Sequence, residues 1–252
     1  MLKIPKLTVV GAGPGDVDLF TLKGVKALQS ADVVLYDALI NKKLLNYTDN
    51  AELIFVGKRK GCYAYQQEQI NDLIINRAKS YGHVVRLKGG DPFIFGRGAE
   101  EMTIAASAGL EVAMVPGISS PLAVPAYQNI PLTKRKSSES FWVITGTTRA
   151  HKLSDDVKLA AQSSATVVIL MGMSKLAEIT ALFQKNGKKD TPVAIIQSGT
   201  MPEERVGIGT IGTIKATADE LELTNPSIIV IGEVVKHREQ MQNLTLEMAK
   251  NI

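Results

Sequence analysis

Five short apolar runs, residues 7–10 (LTVV), 33–36 (VVLY), 53–56 (LIFV), 84–87 (VVRL) and 112–115 (VAMV), alternate with helix-like segments over the first half of the chain. Runs of this length read as buried strands, and a helix between successive strands requires a crossover connection. The pattern therefore predicts a parallel sheet wound with helices on both faces. Thr21 is placed to cap a helix running to about residue 30. Ile70, Leu73, Ile74 and Ala78 repeat at helical spacing within residues 66–79. A further helix at about 99–108 carries Glu100 and Glu101 near its positive end. The second half predicts strands at 141–145, 167–170, 193–197, 205–210 and 228–231, with antiparallel character around Met201 and Pro202. A helix at 175–186 is bracketed by Ser174 as N-cap and Gly187 as terminator. Pro121, Pro125 and Pro131 punctuate a connecting segment, so the division expected is an N-terminal α/β domain, 1–118, with Gly-rich loops, and a C-terminal α/β domain with a mixed sheet, 119–252.

Open α/β sheets bind ligands at the carboxyl ends of their strands, and those ends are where the unusual residues lie. The fourth strand runs into Gly89-Gly90-Asp91-Pro92, with Gly96 and Gly98 following. Two glycines there allow a ligand to approach the backbone closely, and Pro92 biases Asp91 toward an extended conformation from which its carboxylate would project. The first strand ends in Gly11-Ala12-Gly13-Pro14-Gly15-Asp16. This is not a dinucleotide fingerprint: Asp16 replaces the third glycine, Pro14 breaks the turn into a helix, and an acid there repels pyrophosphate. A Gly-rich loop that tolerates acids suits a ligand with a cationic centre, such as a sulfonium. Asp37 follows the second strand, either as a helix cap or as part of a site. Lys58-Arg59-Lys60 and Lys134-Arg135-Lys136 are solvated loops unless strand ends bring them beside an acidic ligand. Met171 reads as packing at a strand end, with Gly172 beside it giving access to backbone.

Composition narrows the classes. Aromatic residues make up 5% and the net charge is only +4, which disfavours a nucleic-acid binder with a dense basic stripe and stacking rings. No apolar run reaches the ~18 residues of a membrane span, and the first residues lead straight into a strand without a signal pattern. One cysteine, Cys62, excludes an internal disulfide and suits a reducing compartment. With His83, His151 and His237 scattered, there is no metal-ligand spacing. A cytoplasmic protein without metal or membrane partner is expected.

The segments GAGPGDVDLFTLKG, YDALI, VGKRKG, RLKGGDPFIFGRGAEE, VPGISSPLAVPAYQNIPLTKR, VILMGM and PEERV together resemble the uroporphyrinogen-III C-methyltransferases of the tetrapyrrole methylase superfamily. The resemblance implies two α/β domains with S-adenosylmethionine in the cleft between them and an acidic tetrapyrrole as substrate. It implies double C-methylation of uroporphyrinogen III to precorrin-2, on the route to sirohaem and cobalamin, by a homodimer. The alternatives it leaves are a later precorrin methyltransferase or an RNA methyltransferase of the same superfamily. By the same resemblance Pro14, Gly89, Gly90, Asp91, Ile94, Ser119, Ser120, Met171 and Gly199 match cofactor positions. Asp37 and Lys58 match the proton acceptor and donor. Arg59, Arg97, Lys134 and Arg135 are candidate partners of substrate carboxylates. Lys134 stands where the family usually has histidine.

Overall fold

The computed structural model describes residues 4–57 and 65–250. The chain forms two compact units, Met1–Ser120 and Pro121–Ile252.

The first unit runs β1 (Lys6–Gly11), α1 (Leu22–Gln29), β2 (Val33–Tyr36), β3 (Glu52–Phe55), α2 (Gln67–Tyr81), β4 (His83–Lys88), α3 (Gly98–Ser107) and β5 (Glu111–Val115). The sheet order is β3-β2-β4-β1-β5 and every pairing is parallel. Thr21 caps α1 as expected, its Oγ1 accepting from the Gly24 amide at 3.0 Å. The alternation of side chains along each strand sorts the core into two layers. Leu7, Val9 and Val84 pack with Ile70, Ile74 and Ala78 of α2 and Ala105 of α3. Val10, Val34, Val85 and Leu87 pack with Phe20, Leu28 and Leu44 on the opposite face. Fully burying such a side chain contributes roughly 1.5–3 kcal/mol, so the two layers hold α1 on one face and α2 with α3 on the other.

This winding determines where the crevice lies. β1 and β4 are neighbours, yet β1 leads into α1 on one face and β4 into α3 on the other. Connections diverging from adjacent parallel strands open the sheet at their carboxyl ends. The register brings these ends level: Gly11 lies opposite Lys88, Val10 opposite Val115, and Tyr36 opposite Leu87.

The second unit begins in α4 (Ser120–Tyr127) and continues through β6 (Phe141–Thr145), α5 (Asp156–Ala160), β7 (Thr166–Leu170), α6 (Leu176–Lys185), β8 (Pro192–Gln197), β9 (Arg205–Thr210), α7 (Ile214–Glu220), β10 (Ser227–Ile231) and α8 (Lys236–Lys250). Its sheet, ordered β6-β7-β10-β8-β9, is mixed: β6 and β7 are parallel, whereas β10 pairs antiparallel with β7 and β8, and β8 with β9. Two expectations need correction. The proline-punctuated connection contains a helix, α4, because Pro121 occupies its first turn, where a missing N–H costs nothing. Ser174 does not cap α6. The chain makes a 3₁₀ turn over Met173–Lys175 first, which moves the N-cap to Lys175, without a side-chain bond. Among the described residues no helix is long and apolar enough to cross a membrane.

Candidate functional site

Three glycines cross where β1, β4 and β5 leave the sheet. A Cβ on Gly117 would lie 2.2 Å from the Gly90 carbonyl oxygen, and one on Gly11 would lie 2.5 Å from Gly117 Cα. The β1 and β4 loops are joined by backbone bonds: the Ala12 amide donates to Lys88 at 2.7 Å, and Gly90 donates to Gly13 at 2.8 Å. Gly90 has φ +64° and Gly13 φ +77°, a region side-chain-bearing residues rarely adopt. In front of Gly90 the nearest atoms to a Cβ are Ser120 N and Ser119 Cα, at 3.8 and 3.9 Å. Gly90, Ser119 and Ser120 thus border one open backbone surface, with half-buried Pro14 on the adjoining β1 loop and Gly89 packed toward Leu39. A ligand resting there meets main-chain atoms and no bulky side chain.

Asp91 behaves differently from expectation. Its carboxylate folds back instead of projecting: Oδ1 accepts from the Phe93 amide at 2.8 Å and Oδ2 from the Gly117 amide at 3.1 Å. It ties the β4 loop to the β5 loop. The segment after it closes on Pro92, whose carbonyl accepts from Gly98 at 2.9 Å. Side chains at Gly96 or Gly98 would strike Pro92, at 2.7 and 2.8 Å. The closed turn presents Phe93, Ile94 and Phe95 outward, all exposed. Arg97, φ +59°, is half-exposed and engages Glu100, with contacts of 3.0 and 2.5 Å.

Asp37 is not a helix cap. The 3₁₀ turn that follows is capped by Asn41, whose Oδ1 accepts from the Lys43 amide. Asp37 Oδ1 instead accepts from Arg86 Nη2 at 2.5 Å, and its Oδ2 lies 3.9 Å from Lys88 Nζ. Arg86 and Lys88 point to the α2–α3 face of β4, where Glu101 accepts from both, at 3.2 and 3.0 Å. Gln67 of α2 adds a third donor to the same Glu101 oxygen at 3.1 Å. Burial depresses the Arg86 guanidinium, but Asp37 and Glu101 outweigh it and hold it above its ordinary value. Burial, reinforced by the Arg86 charge, leaves the Lys88 ammonium below its usual range despite Glu101 and Asp37. Sequence reasoning gave Arg86 and Lys88 no role and Glu101 only a place at its helix's positive end. The signal was present: two cations at i and i+2 in an otherwise apolar central strand share one buried face.

Lys58, Arg59 and Cys62 lie outside the described residues. In the second unit, Met171 is exposed at φ +54° after β7, not packed as expected; Gly172 takes the packed position, against Ile169 and Ile229. The Met171 carbonyl accepts from Thr147 Oγ1 at 2.8 Å. Gly199 is compelled by packing, since a Cβ would lie 2.3 Å from Val124 of α4. Its neighbours Ser198 and Thr200 take the positive φ values of the corner. Lys134 and Arg135 border an open depression of about 370 Å³. Lys134 Nζ reaches Gln240 Oε1 at 3.1 Å and His237 Nδ1 at 3.3 Å on α8. Arg135 is exposed and makes no ion pair with the described residues.

The family model of the tetrapyrrole (corrin/porphyrin) methylases matches residues 6–215. The chain belongs to that family. This methylase is 48% identical over 233 residues to the uroporphyrinogen-III C-methyltransferase of Methanocaldococcus jannaschii, covering 91% of this chain and 96% of that protein. It is 44% identical over 242 residues to the siroheme synthase of Actinobacillus pleuropneumoniae, of whose length it spans 49%. Its structure superimposes on the Thermus thermophilus uroporphyrin-III C-methyl transferase complexed with S-adenyl homocysteine with a TM-score of 0.79. Identity there is 33%, covering 92% of this chain and 99% of that one.

Proposed function

We propose that this methylase transfers methyl groups from S-adenosylmethionine to two ring carbons of uroporphyrinogen III, giving precorrin-2. The observation that carries the reading is the glycine crossing at the sheet's switch point, where Gly90 opens backbone beside Ser119 and Ser120 to a ligand. A near-full-length likeness to uroporphyrinogen-III C-methyltransferases supports the choice of substrate.

S-adenosylmethionine supplies an electrophilic methyl group, and the pyrrole carbon supplies the electron pair. The protein's task is alignment, worth ~7 kcal/mol or more in well-oriented cases. Gly89, Gly90, Pro14, Ser119 and Ser120 are assigned to the cofactor, with Ile94, Met171 and Gly199 as further contacts. Asp91 serves by joining the loops that carry them. Asp37 takes the proton released from the substrate, and Lys58 returns one. Arg59, Arg97, Lys134 and Arg135 receive the tetrapyrrole carboxylates. Arg135 is the most available of the described cations in this set, whereas Arg97 must exchange Glu100 for its ligand. The reading includes a cytoplasmic homodimer, on the family resemblance; sedimentation at working concentration tests the dimer.

The experiment is direct. The protein is incubated with S-adenosylmethionine and, separately, uroporphyrinogen III or a later precorrin, and the products are weighed. A gain of two methyl groups on uroporphyrinogen III alone is expected. Turnover of the later precorrin alone would replace this substrate with that one.

A further inference from the structure

Four charged side chains meet where β2, β4 and α3 come together, and only one of them reaches solvent appreciably. The side chains of Glu101, Arg86 and Lys88 are 0%, 2% and 6% exposed, against 27% for Asp37. Such a cluster is poorly explained by stability. Removing several charges from water costs more than packing apolar groups of similar size, and apolar replacements often match or exceed the stability of buried ion pairs. The neighbours Val84, Val85 and Leu87 show that this strand is otherwise apolar and buried.

The geometry shows a direction in the network. Arg86 is locked on every side: Nε donates to Glu101 Oε1, and Nη1 donates to the carbonyls of Leu87 at 3.2 Å and Leu35 at 3.4 Å. With those bonds made, the guanidinium cannot follow a moving partner, so Nη2 sets the position of Asp37 Oδ1. Glu101 is the anchor beneath. Its Oε1 collects Arg86, Lys88 and Gln67, while Oε2 is buried without a hydrogen-bond partner. Gln67 is tied in turn to Asn71 at 3.2 Å. Asp37 Oδ2 is left facing Lys88 at 3.9 Å, beyond hydrogen-bond reach. It is the oxygen available to take a proton.

We propose that Arg86 is the positioning residue for Asp37 in methyl transfer, with Glu101 and Lys88 as the buried counter-charges that hold its guanidinium in place. The proposal rests on the reading of Asp37 as proton acceptor. In the step it serves, the ring carbon bonds the methyl group, the methyl–sulfur bond breaks with its electron pair staying on sulfur, and the substrate's released proton passes to Asp37. Among the described residues Arg86 and Lys88 on β4 lie against this carboxylate, and Glu101 on α3 holds both of them; the α2 side chains bonded into the cluster, Gln67 and Asn71, are neutral.

The test uses single-turnover methyl transfer in the full-length protein at saturating ligands, with melting curves to verify folding. Arg86→Lys keeps the charge but loses the planar fork. It should slow transfer about 10–100-fold while both ligand affinities stay within about twofold, as a displacement of roughly an ångström predicts. Asp37→Asn should slow it ~10²–10⁴-fold. The double variant should be no slower than Asp37→Asn alone, because Arg86 acts only through that carboxylate. Glu101→Gln weakens the anchor of the Arg86 guanidinium and should likewise slow transfer, about 10-fold, with both ligand affinities held, and it should add nothing in the Asp37→Asn background. A merely structural role would lower affinities and stability together with the rate, and this variant decides the matter should Arg86→Lys fail to fold. Additive losses in the double variants would overturn the proposal while sparing Asp37 as acceptor. A wild-type rate in Asp37→Asn would remove the acceptor reading itself, and the positioning role with it.

Discussion

Replacing Gly117 with alanine tests the glycine crossing most severely, because everything the new methyl group meets is backbone. Its Cβ would lie 2.2 Å from the Gly90 carbonyl oxygen and 2.7 Å from Gly11 Cα, where ordinary contact begins at 3.4 Å. The ends of β1, β4 and β5 must therefore part by about an ångström, and no side-chain rotation relieves them. Overpacking of this kind costs typically ~1–3 kcal/mol; about 2 kcal/mol corresponds to a loss of roughly 8 °C in melting temperature for a unit near this size. The Gly117 amide also holds Asp91 Oδ2, so the displacement carries into the loop that bears Gly90. S-adenosylmethionine affinity should fall with stability. Gly109→Ala is the control: it also changes a glycine, at φ +84°, but its Cβ would meet nothing within 4 Å. It should cost only the ~1–2 kcal/mol of a left-handed backbone and leave cofactor binding intact. The assays are thermal unfolding and calorimetric titration with S-adenosylmethionine. A Gly117→Ala protein that melts with the wild type and binds the cofactor equally well would refute the crossing as the site's foundation.

Three further outcomes follow from the structure. Arg135→Ala should raise the KM for the tetrapyrrole by about 10–100-fold, the worth of ~1.5–3 kcal/mol for a charge-assisted bond, with cofactor affinity unchanged in titration; equal weakening of both ligands would mark Arg135 as structural. Glu101→Ala leaves Arg86 and Lys88 buried without their shared anion and should cost about 3–5 kcal/mol in denaturant unfolding, against little for exposed Glu178→Ala. Burial holds His83 below its ordinary value of 6.5, with its ring between Thr8 and the Ser30 carbonyl. The unfolded chain therefore takes up this proton first, and the stability present above about pH 6.5 is lost as pH falls toward the folded-state value. Denaturant unfolding between neutral and mildly acidic pH should show a loss that is smaller in His83→Gln.

The parts legible in the sequence were those set by local chemistry. Short apolar runs marked most strands of the described residues because these are buried on at least one face, β3 being the exception, and Thr21 marked the start of α1 because a cap acts over three residues. The convergence of Gly13 and Gly90 was readable as well, since parallel strands deliver their ends to one edge. One reading failed where a distant partner outweighed a neighbour: Asp91 turned back to the Gly117 amide, 26 positions away. Of the two readings open for Asp37, capping lost to Arg86, 49 positions away. Glu101 lies in the first turn of its helix as expected, but its bonds to β4 were not foreseen. Met171 failed for another reason: the tight corner after β7 needs a left-handed residue, and Gly172, the natural choice, is already committed to packing.

The backbone bonds between the Gly13 and Gly90 loops carry a consequence for how this edge answers a ligand. Connecting loops ordinarily sit in rapid conformational exchange, and a ligand that orders them gives up part of its affinity to do so. Here the amides of Ala12, Gly13 and Gly90 are bonded across the crevice, and that of Gly117 is held by Asp91, as though the sheet ran one rung further than its strands. Their hydrogen exchange should be slow, in step with the buried amides of β1 and β4, already in the ligand-free protein. On the proposed reading of this edge as a cofactor surface, the part of the site it supplies is ordered before the ligand arrives, and little loop ordering is charged against affinity there.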